Sequence, residues 1–211
     1  MKTNKIVCVG RNYVQHIKEL DNTVPSEPVL FIKPFSTICD MSAPISFNKR
    51  LGEVSHELEL YLRIGKTLTQ APASEVQGAV SDIGLALDLT LRDTQNTLKS
   101  QGQLWEKAKA FDKACPLSES IAYQREKIDL QNLELKLFKN DELQQQGNTS
   151  EMMHSCMALL KYISVYFTLY EGDIVLTGTP AGVGPLNTGD RLEAQLNQQN
   201  QPLIQVQTSV A

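Results

Sequence analysis

Val54-Ser55-His56-Glu57-Leu58-Glu59-Leu60-Tyr61-Leu62-Arg63-Ile64 separates into two faces when read with period two. Val54, Leu58, Leu60, Leu62 and Ile64 fall on one face, with Ser55, Glu57, Glu59, Tyr61 and Arg63 on the other. That alternation predicts a half-buried strand rather than a helix. A strand rises about 3.3 Å per residue, so Glu57 and Glu59 stand roughly 6.6 Å apart and point the same way. Two like charges so placed need a counter-charge. A divalent cation is one solution, and a solvated acidic face is the other.

A second stretch, Ile83-Gly84-Leu85-Ala86-Leu87-Asp88-Leu89-Thr90-Leu91-Arg92, also alternates. Its odd positions are bulky and apolar, whereas Gly84, Ala86, Asp88, Thr90 and Arg92 share the other face. Gly84 and Ala86 leave space there, and Asp is depleted in strands and rarely buried unpaired. Asp88 is therefore either paired with Arg92 or bound to something else. Three carboxylates on two such strands suit a hard cation with oxygen ligands, Mg²⁺ best, since it keeps several waters and takes few protein carboxylates.

The chain has 211 residues, 41% hydrophobic and 21% charged, which suits one sizeable packed domain over residues 1–211. Its net charge of −4, with no basic run, argues against nucleic-acid binding through a general electrostatic footprint. Cys8, Cys39, Cys115 and Cys156 are scattered singly without a Cys-x-x-Cys, so they read as reduced thiols of a cytoplasmic protein. No secretory signal is expected, because Ile6-Val7-Cys8-Val9 is too short an apolar core. The most hydrophobic segment, Met157 to Tyr170, is interrupted by Lys161 and too short to span a bilayer, so no membrane partner is expected.

Along the chain, Lys5–Val9 reads as a first strand. Val14 to Leu20 follows as a short helix, which Asn12 is placed to cap. His16 and Glu19, three apart, are neighbours on that helix, where a carboxylate raises the basicity of an imidazole and orients it. Leu30–Pro34 reads as a strand, and residues 35 to 53 as irregular. Ser74 and Gln77 carry a capping-box pattern. Residues 93 to 112 read as a solvated connection near the single Trp105. A hairpin spans Glu134–Lys139, Asn140-Asp141 and a return strand from Glu142. Thr149 or Ser150 is placed to cap a helix carrying Met153, Cys156, Leu160 and Ile163, ending at Gly172, with His154 as a structural residue on it. Asp173–Thr177 is a strand opening into a glycine-rich loop, Gly178 to Pro185, which presents N–H groups and hydroxyls but lacks a phosphate-loop or dinucleotide spacing. Two strands, near Arg191–Leu196 and Leu203–Thr208, close the chain. Strands outnumber helices and do not alternate in βαβ order, so the fold class expected is α+β.

Six motifs stand in one order: Gly10-Arg11-Asn12-Tyr13-x-x-His16-x-x-Glu19, Phe31-x-Lys33-Pro34, His56-Glu57-x-Glu59, Asp88-x-Thr90-x-Arg92-Asp93-x-Gln95, Trp105-x-x-Ala108-Lys109-x-Phe111-Asp112, and Gly172-Asp173-x-Val175-Leu176-Thr177-Gly178-Thr179-Pro180-x-Gly182-Val183-Gly184. In this order the chain resembles the fumarylacetoacetate hydrolase family, in its short, acylpyruvase-like branch. The departures are Ala110, where glycine is common, and Asn140-Asp141, where Asn-Gly is frequent.

The resemblance implies a mixed β-sandwich roll, usually a homodimer, and a Mg²⁺ or Mn²⁺ site made by Glu57, Glu59 and Asp88. It implies catalytic roles for His16, Glu19, Lys109, Arg92 and Gln95, and substrate contacts from Arg11, Tyr13, Lys33, Gly178 and Thr179. The substrate expected is a small 2-keto acid. Lys109, Arg92 and Gln95 would oppose charge on an enolate, and His16, carried on a mobile N-terminal lid, would act as base. Mg²⁺-dependent hydrolysis of an acylpyruvate to pyruvate and a carboxylic acid is the first reading. Decarboxylation or tautomerisation of oxaloacetate is the second, on nearly the same residues. Isomerisation or hydrolysis of an aromatic-degradation diketo acid is also open, and a non-enzymatic, metal-stabilised binding protein stands last.

Overall fold

The computed structural model describes residues 3–211. The architecture is α+β, with mixed sheets and few helices. The largest sheet has eight strands. Its order is Val29–Pro34, Lys5–Gly10, Ile174–Leu176, Leu58–Ile64, Val80–Leu87, Cys115–Leu117 and Ile38–Asp40, with Ile121–Ala122 also paired to Val80–Leu87. Lys5–Gly10 runs parallel to Ile174–Leu176, and Ile38–Asp40 parallel to Cys115–Leu117; the other pairs are antiparallel. A four-stranded antiparallel sheet holds Glu142–Asn148, Glu134–Lys139, Arg191–Gln198 and Gln201–Ser209.

The opening stretch is not one strand. It breaks at Glu57: Val54–His56 joins a small sheet with Gly184–Pro185 and Thr90–Leu91, and Leu58–Ile64 enters the large sheet. Its partner breaks likewise at Asp88-Leu89, between Val80–Leu87 and Thr90–Leu91, and Arg92 begins a helix instead of continuing the strand. The two breaks lie side by side, joined by the Asp88 N–H donating to the Glu57 carbonyl at 2.8 Å. The chain changes sheet where the carboxylates stand.

Nor is the strand half-buried. Leu58, Leu60 and Leu62 pack into the main core, while Tyr61, on the opposite face, joins a smaller cluster with Ile6, Cys8, Cys115 and Ile174. The space expected beside Gly84 is taken by the Tyr61 ring: a Cβ at Gly84 would stand 2.4 Å from it. The Tyr61 hydroxyl donates to the Ser118 carbonyl. A strand in mid-sheet covered on both faces buries its polar side too, so any polar group there needs a partner.

Several local expectations are corrected. Asn12 does not cap the Val14–Glu19 helix. It is buried, and its amide joins His154 and the Thr177 carbonyl. The short helix Ala73–Val76 has Pro72 at its N-cap and no side-chain cap, so the Ser74–Gln77 box does not form. Residues 93–112 are largely exposed, as expected of a solvated connection, but they are structured: they contain most of Arg92–Ser100 and all of Glu106–Lys109, with Gln95, Leu98, Ala108 and Lys109 buried. The core helix is Cys156–Tyr166, capped by Ser155, and Met153 and His154 lie before it. It ends six residues short of Gly172. The hairpin forms as expected, with Asn140 and Asp141 at φ 54 and 70, the left-handed pair that a two-residue turn requires. The described cysteines are all free. No helix among the described residues is long and apolar enough to cross a membrane.

Candidate active site

Glu57, Glu59 and Asp88 converge: each offers an oxygen lying within 4.8 Å of those of the other two, and all three side chains are buried. The sheet switch achieves what the alternation by itself does not, because it re-aims Glu57 and brings Asp88 from the neighbouring strand. Lys109, at the end of the Glu106–Lys109 helix, donates to Glu57 Oε2 at 2.8 Å and to Asp88 Oδ2 at 2.6 Å. Arg92 donates to Glu57 Oε1 and, through Nη1, to Gln95 Oε1 at 2.8 Å. Asp88 is thus paired with Lys109, and Arg92 with Glu57, unlike the Asp88–Arg92 pairing open at the level of sequence.

These neighbours set the charge states. Burial alone would raise Glu57, but Lys109 and Arg92, with His16 behind them, hold its carboxyl well below the usual range. Glu59 moves the other way: burial, then Asp88 and Glu57, push it well up against the pull of Lys109 and the Gly178 N–H. Burial would lower Lys109, yet Asp88 and Glu57 hold it above its ordinary value. The cluster thus drives the two carboxyls apart, Glu57 downward and Glu59 upward, and keeps Lys109 charged.

Beneath Asp88 lies Lys33, fully buried. Its ammonium donates to the carbonyls of Leu89 at 3.2 Å, Ala114 at 2.9 Å and Lys109. Its Nζ is 2.8 Å from Asp88 Oδ1, but all three protons are engaged elsewhere, and Oδ1 has no hydrogen-bond donor. A buried carboxylate oxygen without a donor, in an all-oxygen set with neither Cys nor His, fits a hard divalent cation. Lys33 does not line the cavity, which corrects its expected contact with substrate. Lys33→Met is expected to cost about 3–5 kcal/mol in urea unfolding, since it leaves carbonyls and a carboxylate buried without their cation. A loss below about 1 kcal/mol, the worth of an ordinary hydrogen bond, would mean that these groups find other partners.

His16, Arg11, Arg92, Gln95, Lys109 and Thr179 line a single narrow cavity with the three carboxylates. His16 Nδ1 faces Glu19 Oε2 at 3.1 Å, and Glu19 Oε1 accepts from the Gly182 N–H at 2.9 Å. The glycine-rich loop thus orients the orienting carboxylate. The segment expected as a mobile lid is docked here, with Tyr13 and Ile17 buried. Tyr13 does not line the cavity, and its hydroxyl has no partner. Gly178 acts through its N–H, which donates to Glu59 Oε2 at 2.7 Å. Its φ of +98°, with Asn12 Cβ 2.7 Å from where a Cβ would stand, admits only glycine. A larger recess of about 520 Å³, lined in part by Ser42, Phe138, Arg191 and Thr208, contains none of these residues.

Gln145 escaped the sequence reading. It is fully buried: Oε1 meets His56 Nδ1 at 3.0 Å and the Leu58 N–H at 2.9 Å, and Nε2 donates to Thr179 Oγ1 at 2.8 Å and to the Pro180 carbonyl at 3.0 Å. One amide thereby ties the Glu57 bend to the Thr179 loop. Burial lowers the pKa of His56 against the pull of that hydrogen bond, so the ring is held neutral. The available signal was a glutamine at an inward position of the Glu142–Asn148 strand, with Gly147 as the next residue on that face.

The fumarylacetoacetate (FAA) hydrolase C-terminal family model matches residues 5–210. The oxaloacetate tautomerase YcgM of Escherichia coli (strain K12) is 52% identical over 189 residues, covering 90% of this chain and 86% of that protein. The human mitochondrial oxaloacetate tautomerase FAHD1 is 42% identical over 193 residues, covering 91% and 86%. The crystal structure of fumarylpyruvate hydrolase from Pseudomonas aeruginosa in complex with Mn²⁺ and pyruvate superposes with a TM-score of 0.89 at 27% identity, covering 99% of this chain and 90% of that one. A family match over nearly the whole chain agrees with the motif order and with the buried carboxylate cluster, and the chain belongs to the fumarylacetoacetate hydrolase family.

Proposed function

We propose that the protein is an oxaloacetate tautomerase, interconverting the enol and keto forms of this 2-keto dicarboxylate. The observation that carries the reading is the E. coli oxaloacetate tautomerase, 52% identical over 90% of the chain. Oxaloacetate chemistry, second in the sequence reading, thereby moves ahead of acylpyruvate hydrolysis. The site suits it, because tautomerisation needs a proton moved between carbon and oxygen and no water to attack.

Glu19 accepts from Nδ1–H of His16, which leaves the Nε2 lone pair free as the base. His16 then takes a proton from C3 of the keto form to leave the enolate, whose C2 oxygen is protonated from solvent. In the other direction the enol O–H proton is lost to solvent and protonated His16 delivers its proton to C3. Lys109 and Arg92 oppose the negative charge that grows on the C2 oxygen. Thr179, which lines the cavity with its hydroxyl already donated to the Leu58 carbonyl, would meet the substrate carboxylate through its backbone N–H. Glu57, Glu59 and Asp88 would hold Mg²⁺ or Mn²⁺, which supplies Lewis-acid polarisation of the keto acid. The homodimer and the cytoplasmic location that the sequence suggested belong to the same proposal. Hydrolysis of an acylpyruvate stays as the second reading, supported by the likeness to the fumarylpyruvate hydrolase.

The test follows the decay of enol-oxaloacetate absorbance with purified protein, Mg²⁺ and, separately, an acylpyruvate. Faster decay than in buffer is expected, lost on chelation and regained with Mg²⁺ or Mn²⁺. Asp88→Ala should stay folded and bind no Mg²⁺ by calorimetry. Enol decay no faster than in buffer would end the tautomerase reading, and cleavage of the acylpyruvate would then favour the hydrolase. Full activity after exhaustive chelation would end the metal assignment.

A further inference from the structure

Four cations, Arg11, Arg92, Lys99 and Lys109, line the cavity together with three carboxylates. Lys109 and Arg92 are matched by Glu57 and Asp88. Arg11 and Lys99 are not: among the described residues neither forms a salt bridge. Arg11 gives Nη2 to Asn22 Oδ1 at 3.1 Å, and its Nε is buried without a partner. Both cations sit against Trp105, the Lys99 ammonium 5.4 Å and the Arg11 guanidinium carbon 5.9 Å from the ring centroid. Their closeness also registers on Lys99: burial first, then Arg11 and Arg92, push its pKa down to about 8. Arg11 is held at φ 61, a left-handed conformation that non-glycine residues adopt at a cost and that recurs at binding sites.

Two like charges gathered on one aromatic ring, without an anion between them, are unfavourable in the free protein and favourable once an anion arrives. Trp105 lines the same cavity and gives both cations an apolar wall, where a charge-assisted hydrogen bond is stronger than in open water. The cations line the same cavity as the carboxylate cluster, so a molecule held there by one end presents its other end to them.

We propose that Lys99 and Arg11, both held against the Trp105 ring, form a subsite for the distal carboxylate of a dicarboxylic 2-keto acid. Lys99 is then a specificity-determining residue. It selects substrates with a second carboxylate over simple acylpyruvates such as acetylpyruvate, whose far end carries none. The assignment deepens the tautomerase reading and rests on it for the placement of the keto-acid head.

Binding separates the two. L-Malate and L-lactate share a 2-hydroxy-acid head, and only malate carries the distal carboxylate. Titrated calorimetrically into the wild-type protein in Mg²⁺ buffer, malate is expected to bind more tightly than lactate. Lys99→Met keeps the aliphatic stem on Trp105 and should weaken malate by roughly 10- to 100-fold, the worth of a hydrogen bond to a charged group. Lactate should be unaffected, and Lys99→Arg should restore malate. Thermal unfolding of each variant checks that it is folded. Equal affinity for malate and lactate in the wild type, or an undiminished malate preference in Lys99→Met, overturns the subsite. Lys99-dependent malate binding in a protein that leaves enol-oxaloacetate untouched would keep the subsite and remove only the tautomerase reading.

Discussion

His16→Gln is expected to lower oxaloacetate tautomerase turnover by about 10²–10⁴, the range for a positioned acid–base group. At 1.36 kcal/mol per tenfold, this is about 2.7–5.4 kcal/mol of transition-state stabilisation. The loss should fall on kcat, with Mg²⁺ affinity unchanged, because His16 makes no hydrogen bond to the three carboxylates. Glu19→Gln should act in the same direction but more mildly, since it orients the ring and also anchors on the Gly182 N–H. Initial rates with enol-oxaloacetate and calorimetric Mg²⁺ titration on the same preparations check both parts. Unchanged turnover would remove His16 from the mechanism. A parallel loss of metal affinity would make it a structural support of the site.

Lys109→Met should combine two large effects. Its ammonium joins Glu57 and Asp88, which are both buried. Removing it leaves two carboxylates without their shared cation, and breaking a buried pair in this way costs about 3–5 kcal/mol. That is a large share of a typical stability of about 5–15 kcal/mol. Urea unfolding in chelator should show the loss, and Mg²⁺ should stabilise the variant more than the wild type, because a cation then meets carboxylates left with only Lys33 and Arg92 beside them. Turnover should nevertheless fall by about 10²–10³ even in saturating Mg²⁺, as when one donor to a developing oxyanion is lost. Wild-type stability in chelator would show that Lys109 does not compensate these charges. Wild-type turnover in Mg²⁺ would confine it to a structural role.

Much of the site is legible in the amino-acid sequence. Glu57, Glu59 and Asp88 stand out because carboxylates in alternating apolar strands are costly to bury alone, and the motif order around them carries the family. The i, i+3 spacing of His16 and Glu19 predicts their contact directly. The strand reading of 54–64 and 83–92 is right in kind and wrong in continuity. Alternation reports the local period of the backbone, and a chain that changes sheet at Glu57 and Asp88 keeps that period on both sides of the break.

Local and compositional features therefore follow from the sequence alone: strand-forming stretches, the turn at Asn140-Asp141, the carboxylate set and the motifs. How these groups are paired is a property of the packed chain. Lys33 reads as a residue for substrate and is instead the buried support of Leu89, Ala114 and Lys109 carbonyls 56 to 81 positions away. Gln145 reads as one glutamine among several, and it joins segments 87 to 89 residues upstream to the Thr179 loop. Lys99 and Arg11 show their shared ring only once the Arg92–Ser100 helix and the first strand are packed together. The reason is physical: a buried polar group must find a partner wherever the fold places one. No local pattern records which distant segment will supply it.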